Sequence, residues 1–211
     1  MNKSEELQKL KERMEADNSL PLKKADTNLV FGVGDPETKI LFIGEGPGYW
    51  ENLKKEPFVG NAGKLLDQVL RVINIPRSSV YITNVVHHRP PENRDPEPGE
   101  ISAYGKYLDE IIKIINPKVI VTLGRFSMGK FLPTARISSV HGKPQVVQFN
   151  GKDITVIPMY HPAAALRNGS LMFEFKQDFQ RLPDMLKEAE SIISKKDDSD
   201  KEDEANQMSL V

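Results

Sequence analysis

Three observations predict an α/β fold, a three-layer α/β/α sandwich around a mainly parallel sheet. Short apolar runs alternate with longer segments of helical periodicity, which is the pattern of a sheet covered by helices on both faces. The runs are followed by Gly44, Asn84, Gly124 and, a few residues further on, His161. Those small or polar residues fall where ligands meet parallel sheets, at the carboxyl ends of the strands. The chain has 211 residues and is 38% hydrophobic, which suits one domain with its own core.

Residues 2–16, rich in Lys and Glu, carry Leu7, Leu10 and Met14 near helical spacing and read as an amphipathic helix. An irregular stretch fills residues 17–35. Residues 39–43 (KILFI) form a first buried strand. Leu65, Leu66, Val69, Leu70 and Ile73 place a helix over residues 61–75, and Pro76 ends it. Residues 79–83 are the second strand, and a loop rich in Pro and charge spans 87–99. Ile101, Leu108, Ile111, Ile112 and Ile115 mark a helix over 100–115. Pro117 stops it before the third strand at 118–123 (KVIVTL). Asn150-Gly151 between apolar residues 146–149 and 154–157 predicts a hairpin. Residues 171–193 are helical, with an interruption at Pro183. Beyond Lys195 the chain is polar, acidic and without aromatics. The expected organisation is therefore one domain over residues 1–194 and a disordered acidic tail over 195–211.

The composition excludes several chemistries. With no cysteine there is no disulfide, no thiolate metal site, no cysteine nucleophile and no cysteine-ligated iron–sulfur cluster. No stretch approaches the roughly 18 apolar residues of a membrane span, and the N-terminal residues lack the apolar core of a signal peptide. A cytoplasmic protein with no membrane partner is expected. The net charge is −1, but residues 195–211 hold three Lys against six Asp and Glu. That segment contributes −3 and leaves +2 on the rest, a balance that permits a nucleic-acid partner if the cations gather near one cleft.

Three segments carry candidate chemistry. Residues 44–48 (GEGPG) let a ligand approach the backbone at a strand end, although the same run would serve as an ordinary tight turn. It is not a phosphate-binding P-loop, because no Gly-Lys-Ser/Thr follows. Residues 57–63 (PFVGNAG) precede a helix N-terminus, a place for an anion or a planar polar ring; Phe58 would equally serve as a core aromatic. Asn84 offers a donor and an acceptor together, matching the O4 and N3–H edge of uracil; capping a neighbouring helix is its plainer use. Residues 159–167 (MYHPAAALR) hold His161 in a turn. They then place three small residues before Leu166 and Arg167, as suits a loop that presses an apolar wedge and a cation into a duplex.

Residues 44–48, 57–66 (PFVGNAGKLL), 80–84 (VYITN) with 89–93 (RPPEN), 119–124 (VIVTLG) and 161–167 (HPAAALR) together resemble the family 4 uracil-DNA glycosylases, from about Asp17 to about Leu186. The resemblance implies a four-stranded, mainly parallel sheet between helices. It also implies a monomeric enzyme that acts on DNA containing uracil and cleaves the N-glycosidic bond to leave an abasic site. It implies catalytic roles for Glu45 and His161, uracil binding by Gly46, Phe58 and Asn84, and DNA contacts from Pro162, Leu166 and Arg167. Members of that family hold a [4Fe–4S] cluster on four cysteines. The corresponding positions here are Asp17, Leu20, His88 and Tyr104, so no cluster and no other cofactor is expected. In its place Leu20 and Tyr104 should pack together, with His88 beside them and Asp17 at the solvent edge, free to pair with His88. Asn52 stands where the family has an acidic residue, and Lys55 where it has Gly. Two rival readings remain open: a catalytically inactive uracil- or DNA-binding homologue, and a hydrolase using His87, His88, His141 and His161 on zinc.

Overall fold

The computed structural model describes the backbone of residues 2–208 and the side chains of residues 2–189 and of Ser191. In chain order the elements are α1 (Lys3–Ala16), β1 (Val33–Gly34), β2 (Ile40–Gly44), α2 (Tyr49–Lys54), α3 (Asn61–Val72), β3 (Tyr81–Asn84), α4 (Pro98–Ile115), β4 (Val119–Leu123), α5 (Arg125–Gly129), α6 (Ile137–Val140), β5 (Gln145–Phe149), β6 (Lys152–Met159), α7 (Pro162–Arg167) and α8 (Gly169–Met208).

The sheet has the order β1-β3-β2-β4-β6-β5. Its four middle strands, β3, β2, β4 and β6, are mutually parallel, and the two edges are antiparallel. The expected four parallel strands are thus present, and the count of four is corrected to six. Two residues of β1 are too few to show a period, which is why that edge is invisible in the irregular 17–35 stretch. The hairpin of β5 and β6 turns at Asn150 and Gly151, both at positive φ (52° and 77°), as a tight two-residue connection demands.

Side chains alternate across the sheet. Leu41, Ile43, Tyr81, Ile120 and Val156 face a core closed by α1 and α4. Phe42, Ile82, Val121, Ile157 and Met159 face the opposite core, closed by α3, α7 and α8. α1 starts on a capping box made by Asn2 and Glu5 and buries Leu7, Leu10 and Met14. α8 runs through Pro183 and does not break there. Pro removes one helical hydrogen bond, while Phe175, Phe179, Leu182 and Met185 anchor the helix to the sheet on both sides of it. The backbone of α8 continues to Met208. The expected disordered tail at 195–211 concerns residues whose side chains lie outside the described ones. No helix among the described residues is long and apolar enough to cross a membrane.

β2 sits between β3 and β4: the chain steps from β2 to β3 on one side and then crosses back past β2 to β4 on the other, so the winding reverses there. This switch opens a crevice beyond the carboxyl ends of β2 and its neighbours.

Candidate active site

The first wall of that crevice is the loop after β2. Glu45 turns its carboxylate toward α5, where Oε1 accepts the Phe126 N–H at 3.0 Å. A Cβ on Gly124 would stand 2.3 Å from the same oxygen, and Gly124 has a φ of 105°. Only glycine therefore lets the β4 end pass under Glu45. Burial raises the Glu45 carboxyl pKa above the usual carboxylate value; the Phe126 N–H opposes this.

Asn84 ends β3 in register with Gly44. A Cβ on Gly44 would lie 2.4 Å from Asn84 Oδ1 and 2.5 Å from the Phe58 ring, so this one glycine makes room for both side chains. Asn84 is only 2% exposed, and its amide makes no hydrogen bond to any described residue. The amide opens on the cleft, where its donor and acceptor are both available to a ligand.

Phe58 adopts a left-handed backbone (φ 54°), rare for an aromatic residue. Two neighbours hold it there. Glu51 accepts the Val59 N–H at 2.9 Å and the Gly60 N–H at 2.7 Å, both on one carboxylate oxygen. Gly63 leaves space for the Phe58 carbonyl, which a Cβ would meet at 1.8 Å. The Phe58 ring thus serves the core and lines the cleft, 5.7 Å from the His161 ring.

His161 caps α7. Its Nδ1 accepts the Ala163 N–H at 3.1 Å, which places the proton of the neutral ring on Nε2. Burial lowers its pKa to about 4, with Arg167 adding to the shift. At neutral pH the ring is therefore an uncharged donor. Residues 161–167 form a short helix and not a loop: Pro162 at the first position and three alanines favour it. Pro162 is buried there and does not line the cleft. Leu166 (47% exposed) and Arg167 stand at its mouth.

Glu45, Gly46, Phe58, Asn84, His161, Leu166 and Arg167 all border one cleft of about 410 Å³. Further lining residues were given no role in the sequence reading, among them Glu51, Arg94 and Asp95; Asn93 was quoted only within a motif. A lone Glu in a six-residue helix carries no sign that its partners lie eight and nine residues downstream. The two positions that depart from the family are accommodated. Asn52 accepts the Asn28 N–H at 2.6 Å and donates to the Asp26 carbonyl at 3.1 Å, tying α2 to the N-terminal loop. Lys55 takes the left-handed cap (φ 59°) that glycine would fill without strain.

The histidines do not converge on a metal. His87 Nε2 meets Thr83 Oγ1 at 3.1 Å, His88 Nδ1 meets Tyr104 Oη at 2.8 Å, and His141 Nδ1 meets Asp178 at 2.6 Å. Among the described residues no group of three or more His, Asp or Glu side chains is placed to hold a metal ion.

The model of the uracil-DNA glycosylase superfamily matches residues 31–186. The chain belongs to this family. It is 44% identical to the type-4 uracil-DNA glycosylase of Sulfurisphaera tokodaii over 85% of this chain and 84% of that one. It is 46% identical to that of Archaeoglobus fulgidus over 78% and 85%, and 45% identical to that of Thermotoga maritima over 75% and 82%.

Within this glycosylase family the cluster-bearing region is the clear departure. Leu20 and Tyr104, the latter on α4, belong to one buried cluster that also takes in α1, and the buried His88 adjoins Tyr104. Tyr104 Oη shares its hydrogen bond with His88 and also faces the Leu22 N–H. Asp17 does not pair with His88. It accepts from the Tyr107 hydroxyl at 2.7 Å and from Lys106 at 3.0 Å, because helix α4 presents those donors at the solvent edge. Side chains without a thiolate, already packed and hydrogen-bonded, do not fit a cysteine-ligated cluster.

This packing has a pH consequence. Burial lowers the pKa of His87 to about 3 and of His88 to about 4, as it lowers His161. The unfolded chain takes up protons below pH 6.5 and the folded one does not until far lower, so stability falls as pH drops through that window. Each histidine costs roughly 2 kcal/mol between pH 6.5 and 5; Glu45 works in the opposite direction. Urea denaturation at pH 7.5 and pH 5 should show a clear loss of stability at pH 5, and equal midpoints would contradict the buried neutral histidines.

Proposed function

We propose that this chain is a monofunctional uracil-DNA glycosylase that works as a monomer without an iron–sulfur cluster. It flips uracil out of DNA and hydrolyses the N-glycosidic bond, leaving an abasic site. The observation that carries this reading is the meeting of an unengaged Asn84 amide and a neutral His161 donor across the Phe58 ring in one cleft.

The glycosidic bond is out of reach inside a duplex, so the nucleotide must leave the stack at a cost of a few kcal/mol. Leu166 and Arg167 fill the vacated space. Phe58 stacks on the extruded base. Asn84 donates to O4 and accepts from N3–H, a pattern that cytosine reverses. As the bond breaks, negative charge grows on uracil O2 and positive charge on the sugar. His161 Nε2–H donates to O2, and the Gly46 backbone supports it. Being neutral, the imidazole stabilises the anion without protonating it outright. Glu45, partly desolvated, positions water and faces the sugar cation, whose charge favours its ionised form. No Lys stands among the residues lining the cleft, which suits hydrolysis without a Schiff base.

The test is a labelled oligonucleotide with one uracil. Alkali-labile strand breaks at that site, insensitive to chelator, support the reading. No product with stoichiometric enzyme, but retained DNA binding, would leave only a binding homologue. The purified protein should also lack an absorbance band near 400 nm, roughly where iron–sulfur charge transfer falls.

The catalytic unit in this proposal is residues 1–194. Deleting residues 195–211 should leave the melting temperature and excision rate intact. It should tighten DNA binding slightly at low salt, because a net charge of −3 is removed. Loss of excision on truncation would assign the segment to the catalytic unit.

A further inference from the structure

Beside the cleft lies a group of aromatic residues that the proposed chemistry does not use. Tyr49 and Trp50 are each 53% exposed, and Leu53 is 58% exposed. The Tyr49 and Trp50 rings meet edge to face at 5.2 Å, and the indole lies over Gly60, whose added Cβ would touch it at 3.5 Å. On the other side the Arg89 guanidinium sits 5.4 Å above the Tyr49 ring, held by a 2.7 Å hydrogen bond from Nε to Asn93. Gly48 and Glu51, which flank the two aromatics in sequence, and Asn93 all line the cleft. The patch is therefore continuous with the cleft rim.

Exposed aromatic faces of this kind call for a flat, apolar partner, while Arg89, Lys54 and Lys55 around them call for negative charge. A DNA strand supplies both. We propose that the exposed Trp50 ring, packed at right angles against Tyr49, is a shelf on which an unpaired base next to the target uracil stacks, with Arg89 meeting the backbone phosphate. This rests on the glycosylase reading of the cleft and deepens it: a flanking base is free to stack only when unpaired, so the shelf favours uracil in single-stranded or locally opened DNA. Stacking platforms of this type tolerate any base, because every base presents a π-face.

Trp50 is the one tryptophan in the chain, so its emission reports on the shelf alone. Titrating the wild-type protein with a single-stranded uracil oligonucleotide should quench that emission saturably, and a duplex of the same sequence should quench it less. Trp50→Ala should weaken single-strand binding about tenfold, the size expected for losing one stacked base, and Tyr49→Ala, which removes the ring that buttresses Trp50 and seats Arg89, should weaken it less; Trp50→Phe should retain most of it. Wild-type enzyme that excises uracil while its emission stays unchanged, with alanine variants that bind DNA as well as wild type does, overturns the shelf and leaves the glycosylase intact. Quenching by DNA without any excision supports the shelf and overturns the glycosylase reading instead. A wild-type oligomer that Trp50→Ala dissolves, with DNA affinity unchanged, also overturns it by assigning the patch to contact between copies of this chain.

Discussion

His161→Ala and Asn84→Ala each lower single-turnover excision of uracil by about 10²-fold or more, the loss expected when one preorganised transition-state donor is removed. The geometry explains why each loss is so large. His161 has its Nδ1 committed to the Ala163 N–H and its Nε2–H left for the substrate, with a pKa lowered to about 4. Protonation of His161 should therefore add no acidic limb near pH 6.5, where an ordinary histidine would already titrate; a limb above that of an ordinary carboxylate would belong to the buried Glu45. Asn84 is packed against Gly44 with its amide open to the cleft, so it meets the substrate with little to rearrange. Asn84→Asp replaces its donor with an acceptor and should shift selectivity toward cytosine. Stopped reactions with excess enzyme over a uracil oligonucleotide measure all of this. Both alanine variants cleaving at the wild-type rate would show that the uracil pocket lies elsewhere.

Tyr104→Ala destabilises the fold by about 3–5 kcal/mol, the range for truncating a fully buried aromatic. Tyr104 has no exposed surface and belongs to the same buried cluster as Leu20, Leu22 and Leu108. Its ring stands 5.8 Å from that of His88 and 5.9 Å from that of His87. Removal opens a cavity, and it also leaves His88 Nδ1 buried without its hydrogen bond, which tightly packed interiors do not absorb. Tyr104→Phe keeps the volume and should cost only about 1–3 kcal/mol, the desolvation of the unpaired polar groups. A protein of this size should lose roughly 10 °C in melting temperature from the alanine change. None of these residues lines the uracil cleft, so excision by the folded fraction at low temperature should persist. A Tyr104→Ala protein melting within a degree or two of wild type would show that this cluster is not what joins the N-terminal segment to α4.

The strands and helices with strong periods were legible. Within KILFI and KVIVTL, residues 41–43 and 119–123 are buried on both faces of the sheet, so the runs are almost wholly apolar and stand out. Helix α4 was legible from its periodic Ile and Leu residues and from Pro117, although it starts at Pro98, two residues before the expected 100. The site segments were legible too, because each sits just after a strand. Less legible was what depends on a distant partner. β1 exists because Val33 and Gly34 find Ile82 and Tyr81. Glu51 reads as a surface carboxylate until Val59 and Gly60 fold over it. Asp17 looked able to meet His88, yet α4 places Tyr107 and Lys106 nearer.

By itself the sequence determined the α/β class, the four parallel strands, the family and the absence of any thiolate ligand. Those follow from local period, short motifs and composition, which need no coordinates. Only the tertiary structure decided that Asn84 is left without a partner and that the His161 proton sits on Nε2. It also decided that Tyr104 and His88 are joined by a buried hydrogen bond. Hydrogen bonding and burial are properties of neighbours distant in the chain, and those neighbours are chosen by the packing of the whole sheet.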